Sequence, residues 1–192
     1  MPVFAYFGPA GTFTEMALEQ VLAQAATPGE STAPLFLPAA ERIAAPSPAA
    51  AIAMVRTGEV DYACVPIESS LEGSVPATMD ALVPGPGAGR VQVFAETVID
   101  VAFTIGAAAP IPPAQVTRLA AYPVAEAQVR GSVARLFPNA HFVTAASNAA
   151  AAHDVAAGDA DAAVTTALAA RLSGLTVLAD GISDATDAVS YT

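Results

Sequence analysis

The sequence has no lysine and no tryptophan, one cysteine and two histidines in 192 residues. Each shortage removes a class of chemistry. Without lysine there is no Walker A phosphate-binding lysine, no Schiff-base lysine and no lysine general base. A single cysteine excludes a disulfide framework and fits a reducing compartment. Cys64 lies in an apolar run and reads as a core residue, not a nucleophile. His141 and His153 lack metal-ligand spacing with it, so neither a metal nor another cofactor is expected. The seven basic residues, all arginine, face 18 acidic ones, for a net charge of −11. That balance opposes nucleic acid, whose recognition leans on cationic contacts to phosphate. No stretch of about 18 apolar residues runs free of charge, proline or glycine, so no membrane span is expected. The opening MPVFAYFGPAG has no basic n-region and meets a Gly-Pro break at once, unlike a signal peptide. The expectation is a cytoplasmic protein with no nucleic-acid or membrane partner.

What is present is alanine and alternation. Hydrophobic residues make up 54% of the chain, many of them alanine, which suits closely packed helices. Strand patterns at 3–7, 34–37 and 60–67 alternate with helical patterns from about 14, at 48–57 and after 75. A β-rich run at 90–106 follows. Then VTRLAAY, a helix over 124–136, HFVTA, a helix over 147–157, DAAVT, a helix over 166–172 and LTVLA complete the chain. This order indicates an α/β fold with a mainly parallel sheet.

Residues 47–63, SPAAAIAMVRTGEVDYA, are echoed by residues 147–163, SNAAAAHDVAAGDADAA. Both have a serine start, an alanine-rich helix, a glycine, then an aspartate opening a strand. Two readings fit. Any pair of helix–glycine–strand units looks alike. Alternatively, two similar lobes each bring a strand end to a shared cleft, where ligands of open α/β sheets sit. Those strand ends are then PIESS and TTALA, which carries Thr165 and Thr166.

Two polar turns concentrate the donors. GPAGTFTE follows the first strand, with glycines that allow close backbone approach and Thr12 or Thr14 to cap the next helix. ESSLEGSVP places Glu68, Ser69 and Ser70 after a strand, with Ser74 as an N-cap ahead of Pro76. Capping and solvated charge explain Ser74. They explain less well why Glu68 and two serines directly follow a buried strand. Tyr122 before Pro123 reads equally as a packing aromatic or a cleft residue; Arg130, Arg135 and His153 read as structural or surface residues.

YFGPAGTFTEMAL and VPIESSLEGSVPATMDAL together resemble two motifs of the prephenate dehydratases, with Ser69 in place of the usual asparagine. YPVAEAQ and GLTVLADGISD resemble later segments more loosely, so the likeness spans nearly the whole chain. It implies a two-lobed, periplasmic-binding-protein-like (type 2) α/β fold with a central cleft. The lobes would comprise 1–98 plus 175–192, and 99–174, with no ACT domain. It implies prephenate as the substrate, and substrate contacts from Gly11, Thr12, Phe13, Glu68, Ser69, Ser70, Glu72, Gly73, Ser74, Phe103, Tyr122, Thr165 and Thr166. A homodimer is left open.

The departures carry the functional expectation. The family ends this domain with Thr-Arg-Phe; counted from Ile182 and Asp184, those places hold Ser190, Tyr191 and Thr192, or one residue earlier, and no arginine. Tyr122 replaces a histidine, and Phe103 stands for another. The dehydratase removes carbon dioxide and hydroxide together. Hydroxide needs a positioned acid, a role the family gives to that threonine. Binding turns beside an altered terminal motif point to decarboxylation alone, with the hydroxyl retained, as in the non-aromatising prephenate decarboxylases of natural-product and antibiotic biosynthesis. The proton donor stays open among Ser190, Tyr191 and water. The rival expectations are a divergent dehydratase in which Ser190 supplies the hydroxyl, and a binding module without chemistry.

Overall fold

Ser47 and Ser147 begin two helices in the same way. Each takes an extended backbone, and its hydroxyl accepts the N–H of Ala50 or Ala150 at 3.0 Å. Such a cap satisfies one of the N–H groups that a helix start leaves unpaired. Each helix ends at a glycine in the left-handed region, Gly58 at φ 74° and Gly158 at φ 86°. The resemblance continues past the glycine. Asp61 accepts the Val3 N–H at 2.8 Å, and Asp161 accepts those of Thr117 and Arg118 at 2.9 and 2.8 Å. Both aspartates thereby fix the start of a neighbouring parallel strand.

The computed structural model describes residues 1–25, 40–70, 73–184 and 189–192. They fall into two units: Met1–Pro9, Phe13–Asp100 and Val189–Thr192 form unit 1, and Ala10–Thr12 with Val101–Ala188 form unit 2. In unit 1, β1 (Val3–Phe7), α1 (Phe13–Ala25), β2 (Glu41–Ala45), α2 (Pro48–Thr57) and β3 (Tyr62–Cys64) build a parallel sheet in the order β2-β1-β3. Phe4 and Tyr6 of β1 pack with Leu18 and Leu22 of α1, while Ala5 packs with Ala45, Ala51 and Val60. A strand covered on both faces reads as one unbroken apolar run, which is why VFAYF is legible.

Unit 2 repeats that plan. After β7 (Phe103–Ala107) come β8 (Arg118–Ala121), α4 (Pro123–Leu136), β9 (His141–Thr144), α5 (Asn148–Ala157), β10 (Ala162–Thr165), α6 (Ala167–Leu172) and β11 (Thr176–Ile182). Their sheet has the order β11-β7-β10-β8-β9. The trio β9-β8-β10 is parallel and matches β2-β1-β3; β7 runs antiparallel to both β10 and β11. Alanines at 120, 151 and 163, with Val155, let α5 sit close to this sheet.

Unit 1 holds a second sheet. Here β4 (Glu68–Ser69), β5 (Gly73–Ser74), β6 (Val98–Asp100) and β12 (Val189–Tyr191) form an antiparallel set in the order β5-β4-β12-β6. The short helix α3 (Pro76–Leu82) follows β5.

Several expectations need correction. Pairing is only partly parallel: β2-β1-β3 is parallel, the five-stranded sheet is mixed because β7 pairs antiparallel, and the β4–β12 set is antiparallel. The run at 90–106 divides into β6 and β7, and residues 90–97 form neither helix nor strand. The expected strand at 34–37 lies outside the described residues. The strand at Glu41–Ala45 was not foreseen: it is an edge strand, largely exposed along its length. Residues 176–182 belong to unit 2, not to the first lobe, because β11 pairs with β7. No described helix is long and apolar enough to cross a membrane.

The Asp161 clamp has a measurable consequence. The Arg118 N–H, then the Thr117 hydroxyl and N–H, hold its carboxyl well below the usual carboxylate range. A lowered folded-state pKa contributes stability above the unfolded value, near 3.9, that fades as pH falls toward the folded one. Asp161→Asn is expected to lower stability by about 1–3 kcal/mol at pH 7. The difference from the unmodified chain should shrink in denaturant titrations repeated at pH 3. An equal difference at both pH values would rule out the charged clamp.

Candidate functional site

The turn at 68–70 and the segment at 189–191 are far apart in the sequence and adjacent in unit 1. β12 lies between β4 and β6: Ser190 stands opposite Ser69 on one side and Ile99 on the other, and Tyr191 opposite Glu68 and Val98. Ser70 closes the arrangement from the end of β4. Its N–H donates to Val189 O at 3.0 Å, and its hydroxyl accepts the Val189 N–H at 3.0 Å. Beyond the strand, Thr97 and Thr192 exchange backbone hydrogen bonds of 2.9 Å each way. The two segments picked out for binding and for chemistry are thus one small sheet.

The β4–β5 hairpin turns back through Gly73, at φ 80°, so that Ser69 pairs with Gly73 and Glu68 with Ser74. Glu72 lies outside the described residues. Glu68 and Ser74 are exposed. Ser74 does not cap α3: Val75 takes that place without a side-chain cap bond, and Pro76 holds the first helical position. The correction has a simple cause, since pairing with Glu68 keeps Ser74 in a strand one residue too early. Ser70→Ala is expected to lower turnover about tenfold, because the Val189 N–H loses its acceptor beside Ser190. Steady-state kinetics decide it; an unchanged rate would remove this turn from the site.

Ala10–Thr12 belong to unit 2. Thr166 is fully buried; its hydroxyl donates to Gly11 O at 2.6 Å and accepts the Ala169 N–H at 3.0 Å. Gly11 has φ 87°, and a Cβ there would stand 2.7 Å from Ala169 Cβ and 2.9 Å from Ala169 Cα. The loop therefore needs glycine twice over, for its backbone angle and for its approach to α6. Thr12 and Phe13, both half-buried, complete it at the start of α1.

Three expected substrate contacts take other roles. Thr166 has its proton on Gly11 O, so it positions the loop and has no donor left for a ligand. Thr165, also fully buried, donates to Asn148 O at 2.6 Å. Phe103 is 2% exposed at the start of β7, every residue of which is buried, and belongs to the core. Tyr122 differs: it is exposed at the N-terminus of α4, where its carbonyl accepts the Glu126 N–H.

Several arginines are engaged away from these turns. Arg42 pairs with Glu19 at 3.0 Å, Arg118 with Asp161 at 3.2 Å, and Arg130 with Glu126 one helical turn away. Arg56 donates to the carbonyls of Leu82 and Gly89. Unit 1 also has a partly open pocket of about 450 Å³ lined by Phe4, Tyr62, Cys64, Ile67, Phe94 and Thr192, among others. Its character is apolar, and burial pushes the Cys64 thiol up to about 12, so that it stays protonated at neutral pH. Among the described residues, no group of three or more His, Cys, Asp and Glu could hold a metal ion. Sequence reasoning passed over Gly131 and Asp184, which hydrogen-bond across unit 2. The available signal was a glycine inside a helical pattern.

Comparison with known proteins agrees with these motifs. The family model for prephenate dehydratase matches residues 4–190. A prephenate dehydratase of Mycolicibacterium vanbaalenii is 51% identical over 186 residues, covering 96% of this chain and 58% of that protein. The chain thus spans little more than half the length of that relative. The crystal structure of a prephenate dehydratase from Arthrobacter aurescens in complex with L-Phe superposes with a TM-score of 0.79 at 34% identity, over 98% of this chain and 57% of that one. The dehydratase from Staphylococcus aureus superposes at 0.70 with 18% identity, over 100% of this chain and 64% of that one, and shares the fold.

Proposed function

The chain belongs to the prephenate dehydratase family, and from that premise we propose that it binds prephenate and converts it to phenylpyruvate. The carrying observation is the pairing of β12 with β4, which sets Ser190 against Ser69 beside the Glu68–Ser70 turn. Counted without gaps from Ile182 and Asp184, Ser190 falls where the family has its threonine, and serine too carries a hydroxyl. In the reaction, the ring carboxylate leaves as carbon dioxide, its bonding electrons enter the ring, and the C–O bond on the far carbon breaks. The departing hydroxide takes one proton and leaves as water. The Ser190 hydroxyl is the proposed donor of that proton, a contribution of roughly 10²–10⁴-fold.

Substrate charge must be met locally. Prephenate is a dianion and the chain carries −11, so the mean field opposes binding. Helix N-termini and hydroxyl groups are what can meet the substrate's charge, each helix N-terminus being worth up to about 1–2 kcal/mol. Glu68 orients neighbours or accepts the substrate hydroxyl.

A second reading rests on a specific observation: positions 190–192 read Ser-Tyr-Thr, without the family's arginine. If the leaving hydroxide is not assisted, carbon dioxide departs alone and a ring carbon takes the proton. The product is then a non-aromatic dihydro-4-hydroxyphenylpyruvate, of the kind used in natural-product pathways. Incubation with prephenate at neutral pH, read by mass and ultraviolet absorbance against a protein-free control, separates the outcomes. Phenylpyruvate supports the first reading; a non-aromatic keto acid retaining its oxygen supports the second. Saturable thermal stabilisation without turnover would leave a binding module.

A further inference from the structure

Gln20 lies in the interior of α1, and its side-chain amide reaches out of the helix to the start of β6. Nε2 donates to Thr97 Oγ1 at 2.7 Å and to Val98 O at 3.1 Å. The Val98 carbonyl can only accept, which fixes the amide nitrogen as the atom that faces it. Thr97 is 5% exposed, so its hydroxyl would meet little water if that amide were removed. Gln20, Thr97 and Val98 all belong to unit 1.

The amide meets β6 on its open side. β6 is an edge strand, with β12 on one side and no strand on the other among the described residues. Thr97 and Thr192 exchange both of their backbone hydrogen bonds. Antiparallel pairs alternate between bonded and non-bonded, so Val98–Tyr191 is a non-bonded pair and Ile99–Ser190 a bonded one. The Val98 carbonyl therefore points away from β12, to where Gln20 stands. The next pair follows the same rule: Val189, opposite Asp100, turns its N–H and carbonyl to Ser70 instead. A slip of one residue would exchange the inward and outward carbonyls of β6 and take Val98 O from Gln20. β12 is only three residues long, so its own ladder offers few pairs to resist that slip.

We propose that Gln20 is a positioning residue: from α1 it fixes which carbonyls of β6 face β12, and so the register that sets Ser190 against Ile99 on one side and Ser69 on the other. Thr97 is the link. Its hydroxyl receives the amide, and its backbone passes the register to Thr192. Glutamine suits the place because one uncharged nitrogen carries two donors for two acceptors. A glutamate there would turn oxygens toward Val98 O. The inference rests on the reading of β12 as the strand that carries the chemistry.

The test uses the full chain with Gln20→Met, Thr97→Val, Thr97→Ser and the double variant Gln20→Met with Thr97→Val, assayed with prephenate and by amide hydrogen exchange. Gln20→Met keeps a long side chain that suits a helix and removes both donors. It is expected to lower kcat about tenfold or more with KM within about twofold. Thr97→Val removes one acceptor and leaves the bond to Val98 O, so its loss should be smaller. Thr97→Ser, which keeps the hydroxyl, should stay within about twofold of the unmodified chain. The double variant should be no slower than Gln20→Met alone, since both act through one contact. The Thr192 amide, bonded to Thr97 O, should exchange about tenfold faster in Gln20→Met, while amides of β1 do not change. A kcat within twofold in Gln20→Met, additive losses, or unchanged exchange at Thr192 would overturn the proposal. If Gln20→Met does not fold, the contrast between Thr97→Val and Thr97→Ser decides it. If the unmodified chain does not turn over prephenate, the proposed function fails, and the exchange measurement still decides the clamp.

Discussion

Gly11→Ala is expected to lower turnover at least a hundredfold and to destabilise unit 2. Two costs combine. A side chain at φ 87° meets the following carbonyl, which costs roughly 1–2 kcal/mol. The new Cβ also overlaps the Ala169 backbone, and overpacking of this kind costs about 1–3 kcal/mol. Neither relaxes freely. Ala169 is buried in α6, and its N–H and the Gly11 carbonyl are both bonded to the same threonine hydroxyl. The loop must shift, and a displacement near 1 Å at a positioning element costs on the order of 10²-fold in rate. Denaturant unfolding and steady-state kinetics on one preparation test both effects. Unfolding at the unmodified midpoint, with a rate within threefold, would show that the loop tolerates another path. Thr166→Val separates the causes, because it removes the bond to Gly11 O and adds no atom near Gly11.

Ser190→Ala should slow phenylpyruvate formation by roughly 10²–10⁴-fold if its hydroxyl protonates the leaving group. Ser190→Thr should restore most of the rate, since it returns the hydroxyl on the residue that the family uses. KM for prephenate should move far less than kcat, because the bond strengthens only as the C–O bond breaks. Product analysis sharpens the result. A variant that releases carbon dioxide but forms a non-aromatic acid would show that proton delivery to oxygen, not decarboxylation, depends on Ser190. An alanine variant as fast as the original would remove Ser190 from the chemistry.

What the sequence revealed and what it hid divide along physical range. The α2–α5 echo was readable because Ser47, Gly58, Ser147 and Gly158 act on backbone groups within a few residues of themselves. The use of Asp61 and Asp161 as strand clamps was not, since their partners, Val3 and Arg118, are set by sheet order. β1 announced itself by burial on both faces. β2 did not, because Glu41 and Arg42 face solvent on an edge. The polar turns were found by their density of hydroxyls, yet a hydroxyl does not reveal its partner. Thr165 and Thr166 looked like donors for a ligand and have their protons on backbone carbonyls instead. Ser74 shows the reverse limit: one residue of strand pairing moved the cap position to Val75. The union of 68–70 with 189–191 was implied by the family likeness and invisible to any local pattern.

β12 is an inner strand, and it is synthesised after both of its neighbours. Until residue 191 has left the ribosome, β4 and β6 each present an open edge where that strand will lie. Exposed edges invite pairing with other chains, and synthesis at about 5–20 residues per second leaves them open for several seconds. The nascent protein is therefore most vulnerable to wrong partners during that wait, and agents that shield it then should raise the yield of active protein more than agents added after release.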